Sequence, residues 1–503
     1  MDDVATPLVE NLGVAGDPID VVARFLDLPY LLFLDSATGA ALAGESHQLG
    51  RYSFLSADPA LVIRSKGRVT ELGGPGRPWA RLDPDPLLAV RDLLKSFAAE
   101  PVSGLPPFQG GAAGYIGYDY GAVLERLPAA RYDDLPIPDV VLGLYDWVIA
   151  WDHRLETGWI ISTGLPETGA ARAGRARARL AMVQERLRTP ARPVLSRPRP
   201  PAAAADPSAA GQPEAPSYPV LGVDGAEAIG LRSTFTHRGY LDAVSRVREY
   251  IVAGDIFQAN LSQRLQAPLG EPLFELYSRL RHRNPAAFAA YLDFDDVGVL
   301  SASPERFLRL DGNGRHVETR PIKGTRPRGL GPMHDAALGR ALSESDKDRA
   351  ENVMIVDLLR NDLSRVCRPG TVRVPELFAL EQHPTVHHLV STVVGELDPA
   401  ADAIDLLRAA FPGGSITGAP KVRAMEIIAE LEPSRRGVYC GSIGYLSVTG
   451  AMDTSIVIRT YLALGGRVYF QAGGGIVADS DPELEYRETL DKARALIGAL
   501  ARP

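Results

Sequence analysis

The chain has 503 residues, 45% of them hydrophobic and 23% charged, and carries a formal net charge of -8. This is the composition of a folded globular protein with room for one to three structural units, and it excludes a disordered or fibrous chain. The acidic balance argues against a nucleic-acid binder, which needs a basic face to meet phosphate, and favours a small-molecule substrate.

In chain order, the amino terminus MDDVATPLVE is acidic where a signal peptide would be basic and then apolar. No later window reaches the roughly 18 uninterrupted apolar residues of a membrane span, so a cytoplasmic location is expected. Short runs with strand character follow: YLLFLDS (30–36), RYSFLSA (51–57) and VVLGLYDWVIAWD (140–152). They are punctuated by GGAAGYIGYDYG (110–121), whose small residues let backbones approach closely. RAGRARARLAMVQERLR (172–188) has the spacing of a helix with a solvated arginine face. The Pro-, Ala- and Ser-dominated run from Thr189 to Pro219 reads as a linker or surface excursion, and the chain divides into 1–188, 189–230 and 231–503.

After the linker come a helix (YLDAVSRVREYIVAG, 240–254), a strand (IFQANLSQRLQA, 256–267), a second helix, and strands within AYLDFDDVGVLSAS (290–303) and RFLRLDG (306–312). The last stretch predicts a helix from Ala419 to about Glu432, strands GSIGYLSV, TSIVIRTYLAL and RVYFQAGGGIV, and a closing helix from Pro482. Strands fall in neighbouring runs without strict alternation with helices, which predicts an α+β fold with antiparallel sheets. Cys367 and Cys440 are too few for a disulfide framework or a thiolate zinc site.

Several segments carry side chains suited to chemistry. In PIKGT (321–325), Lys323 stands in the bend after a strand, where it could be a solvated charge, a phosphate holder or a nucleophile. GGSITGAPK (413–421) lacks the lysine directly after the last glycine that a nucleotide loop needs. As a glycine-rich turn before a helix, with Ser415, Thr417 and Lys421, it could still bind an anion, or be a plain helix start. DRAENVMIVDLLRNDLSRV places Asp348 and Glu351 one helical turn apart, and PELEYRETLDKARALI repeats the arrangement with Glu485 and Glu488. Two such pairs could hold an oxygen-loving divalent ion, although acidic pairs on helices are usually solvated. Gly473, Gly474 and Gly475, directly after a strand, suit backbone approach to a carboxylate or phosphate. Arg459 could grip a carboxylate with two hydrogen bonds, with Tyr445 on a neighbouring strand. Glu305 follows a strand in SASPERF, and HPTVHHLVS supplies His383, His387 and His388, of which one functional histidine at most is expected.

Taken together, GDIFQANLSQR, SASPERF, PIKGTRPRG, AENVMIVDLLRNDLSRVCRPGTV, HHLVSTVVGEL, FPGGSITGAPKVRAMEIIAELEP, GSIGYLSVTGAMDTSIVIRT and QAGGGIVADSDPELEYRETLDKA stand in the order found in the chorismate-utilising enzymes. The resemblance is dense over about residues 235 to 500 and looser before, through FLDS, GRYSFL and GAAGYIGYDY. It implies the fold of anthranilate synthase component I, with antiparallel sheets in a sandwich-like core surrounded by helices, and a catalytic region at 231–503.

The resemblance also implies roles. Glu351 and Glu488 would hold Mg²⁺ against the ring carboxylate of chorismate, with Asp348 and Glu485 in support. Tyr445, Arg459, Lys421, Thr417 and the amides at Gly473, Gly474 and Gly475 would bind carboxylates, Glu305 would protonate the departing C4 hydroxyl, and His388 would sit close to the ring. Gln258 stands where the water-activating members carry lysine, which disfavours water as the nucleophile. Lys323 resembles the lysine that attacks C2 in the branch that aminates C4, a role suited to an amine whose pKa is lowered by burial. Asn260 and Leu261 also resemble that branch. The anthranilate branch is the nearest alternative, and a non-catalytic tryptophan-binding subunit is an alternative of another class. No stretch resembles a glutamine amidotransferase, so ammonia is expected from a separate glutaminase subunit. Ser36, Arg51, Tyr52 and Ser53 resemble part of a tryptophan pocket, with Asp35 beside them.

Overall fold

The structure, a computed structural model, describes residues 6–14, 16–37, 49–82, 85–189, 213–312, 314–383 and 386–501. Most of the predicted linker, residues 190–212, lies outside them. Among the described residues two large sheets form, one of thirteen strands and one of twelve, and every pairing between adjacent strands along each sheet is antiparallel.

Three apolar clusters show how the layers stack. One joins the first sheet to helices His237–Val252, Leu273–Arg283 and Pro482–Leu500. A second joins the other sheet to helices Pro86–Lys95, Asp346–Ser364 and Ala403–Ala410. The third lies between the sheets, where Leu32, Phe54 and Val299 of the first face Tyr115, Val141 and Ile443 of the second. The order is therefore helices, sheet, sheet, helices, the α+β sandwich expected from the sequence.

Two predicted runs prove to be two strands each. VVLGLYDWVIAWD divides at Asp146, with Val140–Tyr145 in one sheet and Trp147–Asp152 in the other. TSIVIRTYLAL divides after Ile456: Met452–Ile456 belongs to the twelve-stranded sheet, and Thr460–Leu464 to the thirteen-stranded one. Both runs look continuous because each half is buried between layers, so apolarity does not drop where the chain changes sheets. A third crossing, at Pro304–Glu305, carries the chain from strand Val297–Ser303 to strand Arg306–Leu310.

The last two crossings are tied together. The Ile456 amide donates to the Glu305 carbonyl at 3.0 Å, and the Ala302 amide donates to the Arg459 carbonyl at 3.0 Å. Arg459 itself is in the left-handed region, φ 54°. Glu305 and Arg459 are thus both fixed where the chain passes between sheets.

Candidate active site

Next to these crossings is a cavity of about 680 Å³. Each wall is supplied by a local device. Strand Ile322–Pro327 pairs with Val386–Glu396, Ile322 facing Val390 and Thr325 facing His388, and the register shifts between them. Lys323 and Gly324 fill that irregularity, which turns the lysine toward the cavity and away from a regular sheet face. Gly324 has φ 88°, and a Cβ there would lie 2.8 Å from Leu342 Cδ1 and 3.1 Å from Asp348 Cβ. Only glycine satisfies both demands.

Glu305 and Lys323 meet at Ser415. The serine hydroxyl donates to Glu305 Oε1 at 2.6 Å, and Lys323 Nζ donates to the Ser415 carbonyl at 3.1 Å. Glu305 is 5% exposed. Burial pushes its carboxyl up to about 7, against the opposing pull of the Ser415 hydrogen bond and the Lys323 charge. Burial also lowers the Lys323 ammonium below its ordinary value, although Glu351, Glu305 and Glu488 work to raise it. The pair is therefore a carboxyl that keeps its proton near neutrality beside an amine that loses one more readily, as acid–nucleophile chemistry requires.

His388 Nδ1 is 3.0 Å from the Thr325 hydroxyl, and burial, with His383 and Arg459 nearby, lowers its pKa to about 3. The imidazole is neutral. His383 lies against it, with ring centroids 4.9 Å apart, while His387 turns the other way and meets Asp335 at 2.8 Å.

On the opposite wall the last strand, Arg467–Ile476, brings Gly473 and Gly475 to the cavity. The helices that carry the acidic pairs start at side-chain caps: Ser345 accepts from the Asp348 amide, and Asp481 accepts from the Leu484 amide. Asp348 and Glu351 line the cavity from the first helix, Glu485 and Glu488 from the second. A Cβ on Gly474 would lie 2.9 Å from Glu485 Oε2 and 3.4 Å from Glu488 Oε1, so both carboxylates close on the space this glycine leaves. Burial raises Glu351 and Glu485. Burial also pushes Glu488 up, but the charge and hydrogen bond of Lys492 outweigh it, and the carboxyl stands below its ordinary value. Hard carboxylate oxygens from two facing helices fit a Mg²⁺ ion that keeps waters and substrate oxygens as further ligands. Among the described residues, no three His, Cys, Asp or Glu side chains are already gathered around one point.

Arg459 lines the same cavity and makes no ion pair with a carboxylate among the described residues. A guanidinium so placed has the geometry to meet a carboxylate with two hydrogen bonds.

Three expected substrate contacts lie elsewhere. Tyr445 is stacked on Phe108, centroids 4.8 Å apart, and lines a different, smaller cavity between the sheets. Tyr439 takes its place beside Arg459, twenty residues upstream of it in sequence. Lys421 donates to Asp362 at 2.6 Å and to the Ala410 carbonyl at 2.8 Å, so its charge is already engaged; its helix starts at Lys421, after Pro420. Thr417 is buried and donates to the Gly413 carbonyl at 3.0 Å. The glycine-rich turn contributes to the cavity through Ser415, a residue the anion-site reading left without a specific partner.

In the smaller cavity, Ser36 and Tyr52 are lining residues together with Asp35. Arg51 is committed to Asp152 at 2.8 Å, and Ser53 accepts from the Ser36 amide at 2.9 Å and contacts His153 at 2.8 Å.

A two-sheet sandwich with an acid, an amine and two carboxylate pairs around one cavity is the arrangement of an enzyme that acts on a small polycarboxylate. Residues 42–498 match the family described as chorismate binding enzyme, and the chain belongs to that family. It is 43% identical to aminodeoxychorismate synthase component 1 of Salmonella typhimurium, covering 94% of this chain and 93% of that one. It is 42% identical to anthranilate synthase component 1 of Streptomyces coelicolor, covering 83% and 78%. The crystal structure of anthranilate synthase component I from Streptococcus pneumoniae superposes with a TM-score of 0.74 at 33% identity, over 90% of this chain and 92% of that one.

Proposed function

We infer that this chain is the chorismate-aminating component of an aminodeoxychorismate synthase, supplied with ammonia by a partner glutamine amidotransferase. The observation that carries the reading is Lys323, set in a strand irregularity with its amine joined through Ser415 to a carboxyl that stays protonated near neutrality.

Arg459, Tyr439 and the backbone at Gly473, Gly474 and Gly475 hold the substrate's carboxylates. Glu351 and Glu488, with Asp348 and Glu485 in support, would hold Mg²⁺, which supplies positive charge against the ring carboxylate. The neutral Lys323 amine forms a bond to C2 of chorismate while Glu305 gives its proton to the C4 hydroxyl, which leaves as water, and the ring double bonds shift. Ammonia then bonds to C4, the shift reverses, and the C2–nitrogen bond breaks to return the lysine amine. A proton from the new C4 ammonium restores Glu305. The sum is chorismate and ammonia to 4-amino-4-deoxychorismate and water. Neutral His388, held by Thr325 on the same cavity wall as Lys323, orients the ring without adding charge.

Among the described residues no helix is long and apolar enough to cross a membrane. We place the activity in the cytoplasm, and we assign the product to p-aminobenzoate and folate synthesis. The cavity at Asp35, Ser36 and Tyr52 is our candidate for tryptophan.

The test is to incubate the purified chain with chorismate, Mg²⁺ and ammonium salt, with and without an aminodeoxychorismate lyase, beside Lys323→Ala. We expect p-aminobenzoate only with lyase present, and its loss in the variant. Anthranilate formed equally by both proteins would instead assign the chain to the anthranilate branch.

A further inference from the structure

Among the groups on the cavity wall, Lys492 has no role in the scheme above. Its Nζ lies 2.6 Å from Glu488 Oε1 and donates to the Gly473 carbonyl at 2.9 Å. A lysine four residues after a glutamate is ordinary on a helix and stabilises it by only a few tenths of a kcal/mol. The second bond is not explained by the helix, because Gly473 belongs to the strand opposite. The ammonium therefore bridges the two walls that meet at Gly474, next to the oxygens of Glu485 and Glu488. Of the three lysines whose charge holds the Glu488 carboxyl low against its burial, it acts most strongly, ahead of Lys347 and Lys323. Across the cavity Lys347 stands more loosely to Glu351, at 4.0 Å.

A divalent ion bound at Glu488 takes the oxygen that Lys492 now holds, and like charges repel. The ammonium then has to leave, on a flexible four-carbon stem, into a cavity whose arriving ligand is a carboxylate. We propose that Lys492 is a tethered cation that competes with the divalent metal for Glu488 and, once displaced, pairs with the substrate's carboxylate, so that metal and substrate bind cooperatively. Lys492 is in this sense a positioning residue. The coupling is reciprocal by linkage: whatever substrate does to metal affinity, metal does to substrate affinity. This inference rests on the metal reading given above.

Mn²⁺ titration followed by electron paramagnetic resonance, with no ammonia present, tests it on wild type, Lys492→Met, Lys492→Arg and Glu488→Gln. Without chorismate, Lys492→Met is expected to bind Mn²⁺ about two- to fivefold more tightly than wild type, the range for removing a competing ion pair of this exposure. Lys492→Arg should stay close to wild type. Adding chorismate should tighten Mn²⁺ binding in both proteins, through the ring carboxylate, but by a clearly smaller factor in Lys492→Met than in wild type. Equal or weaker metal binding by Lys492→Met, with its circular dichroism and melting curve unaltered, overturns the proposal. If Glu488→Gln binds Mn²⁺ as wild type does, or no protein binds it, the metal reading itself falls and this inference with it. If Glu488→Gln loses the metal while Lys492→Met is unchanged, the metal reading stands and only the tethered cation is wrong.

Discussion

Glu305 and Lys323 are joined through one serine, yet burial drives them in opposite senses, the carboxyl up and the ammonium down. The consequence is a pH dependence with a definite sign. Glu305 must carry its proton to release the C4 hydroxyl, so kcat/KM for chorismate should fall as pH rises through about 7. Lys323 must be neutral to attack, so the same quantity should fall on the acid side. Glu305→Gln should lose roughly 10²- to 10⁴-fold in rate and abolish the alkaline limb, which a pH-rate profile would show. Stability has a matching sign: a carboxyl whose folded pKa is raised contributes fully below its unfolded value and loses that contribution as pH rises to about 7. The melting temperature of wild type relative to Glu305→Gln should therefore decline between pH 5 and 8. At the same scale the limits of sequence are plain. Tyr439 and Tyr445 both stand in one short glycine-containing segment, and which of them reaches Arg459 depends on where the strand Ser442–Ser447 begins. Tyr445 falls on the strand and packs between the sheets; Tyr439 precedes it and reaches the cavity.

Irregularities in elements place the chemistry. The misfit between Ile322 and Thr325 lets Lys323 leave the sheet, and the crossings at Glu305 and Arg459 leave both residues outside regular pairing. Gly324→Ala should therefore cost about 1–3 kcal/mol, since the new Cβ meets Leu342 and Asp348 in a left-handed conformation. Chemical denaturation would measure the loss. Activity should fall by a larger factor than stability explains, because Lys323 is displaced with it; a variant that is destabilised but fully active would show that the irregularity does not aim the lysine. These features were only partly legible. PIKGT shows a glycine where a bend is needed, but TSIVIRTYLAL gives no sign that its halves join different sheets.

The two sheets are assembled from segments on both sides of residues 190–212. Strand Phe288–Phe294 pairs with Leu31–Asp35, and Ser442–Ser447 pairs with Gly111–Ile116, so each sheet interleaves early and late segments. Expressed alone, residues 231–503 would expose two long unpaired edges. Such a fragment should aggregate or unfold without cooperativity, and co-expression with residues 1–230 should restore a soluble, active complex. Calorimetry and gel filtration would check this; a monomeric, cooperatively melting fragment would contradict it.

By itself the sequence determined the chemical inventory: the lysine in PIKGT, the acid in SASPERF, the paired carboxylates on two helices and the α+β class. These follow from residue type and local spacing, which are readable within a dozen residues. Only the tertiary structure decided which of them meet. Lys421 is spent on Asp362, Tyr445 on Phe108 and Arg51 on Asp152, while Ser415, Tyr439 and Lys492 join the cavity. The reason is physical. A side chain's partner is chosen by long-range register and by the burial that raises or lowers its charge, and neither is encoded in the segment that carries it.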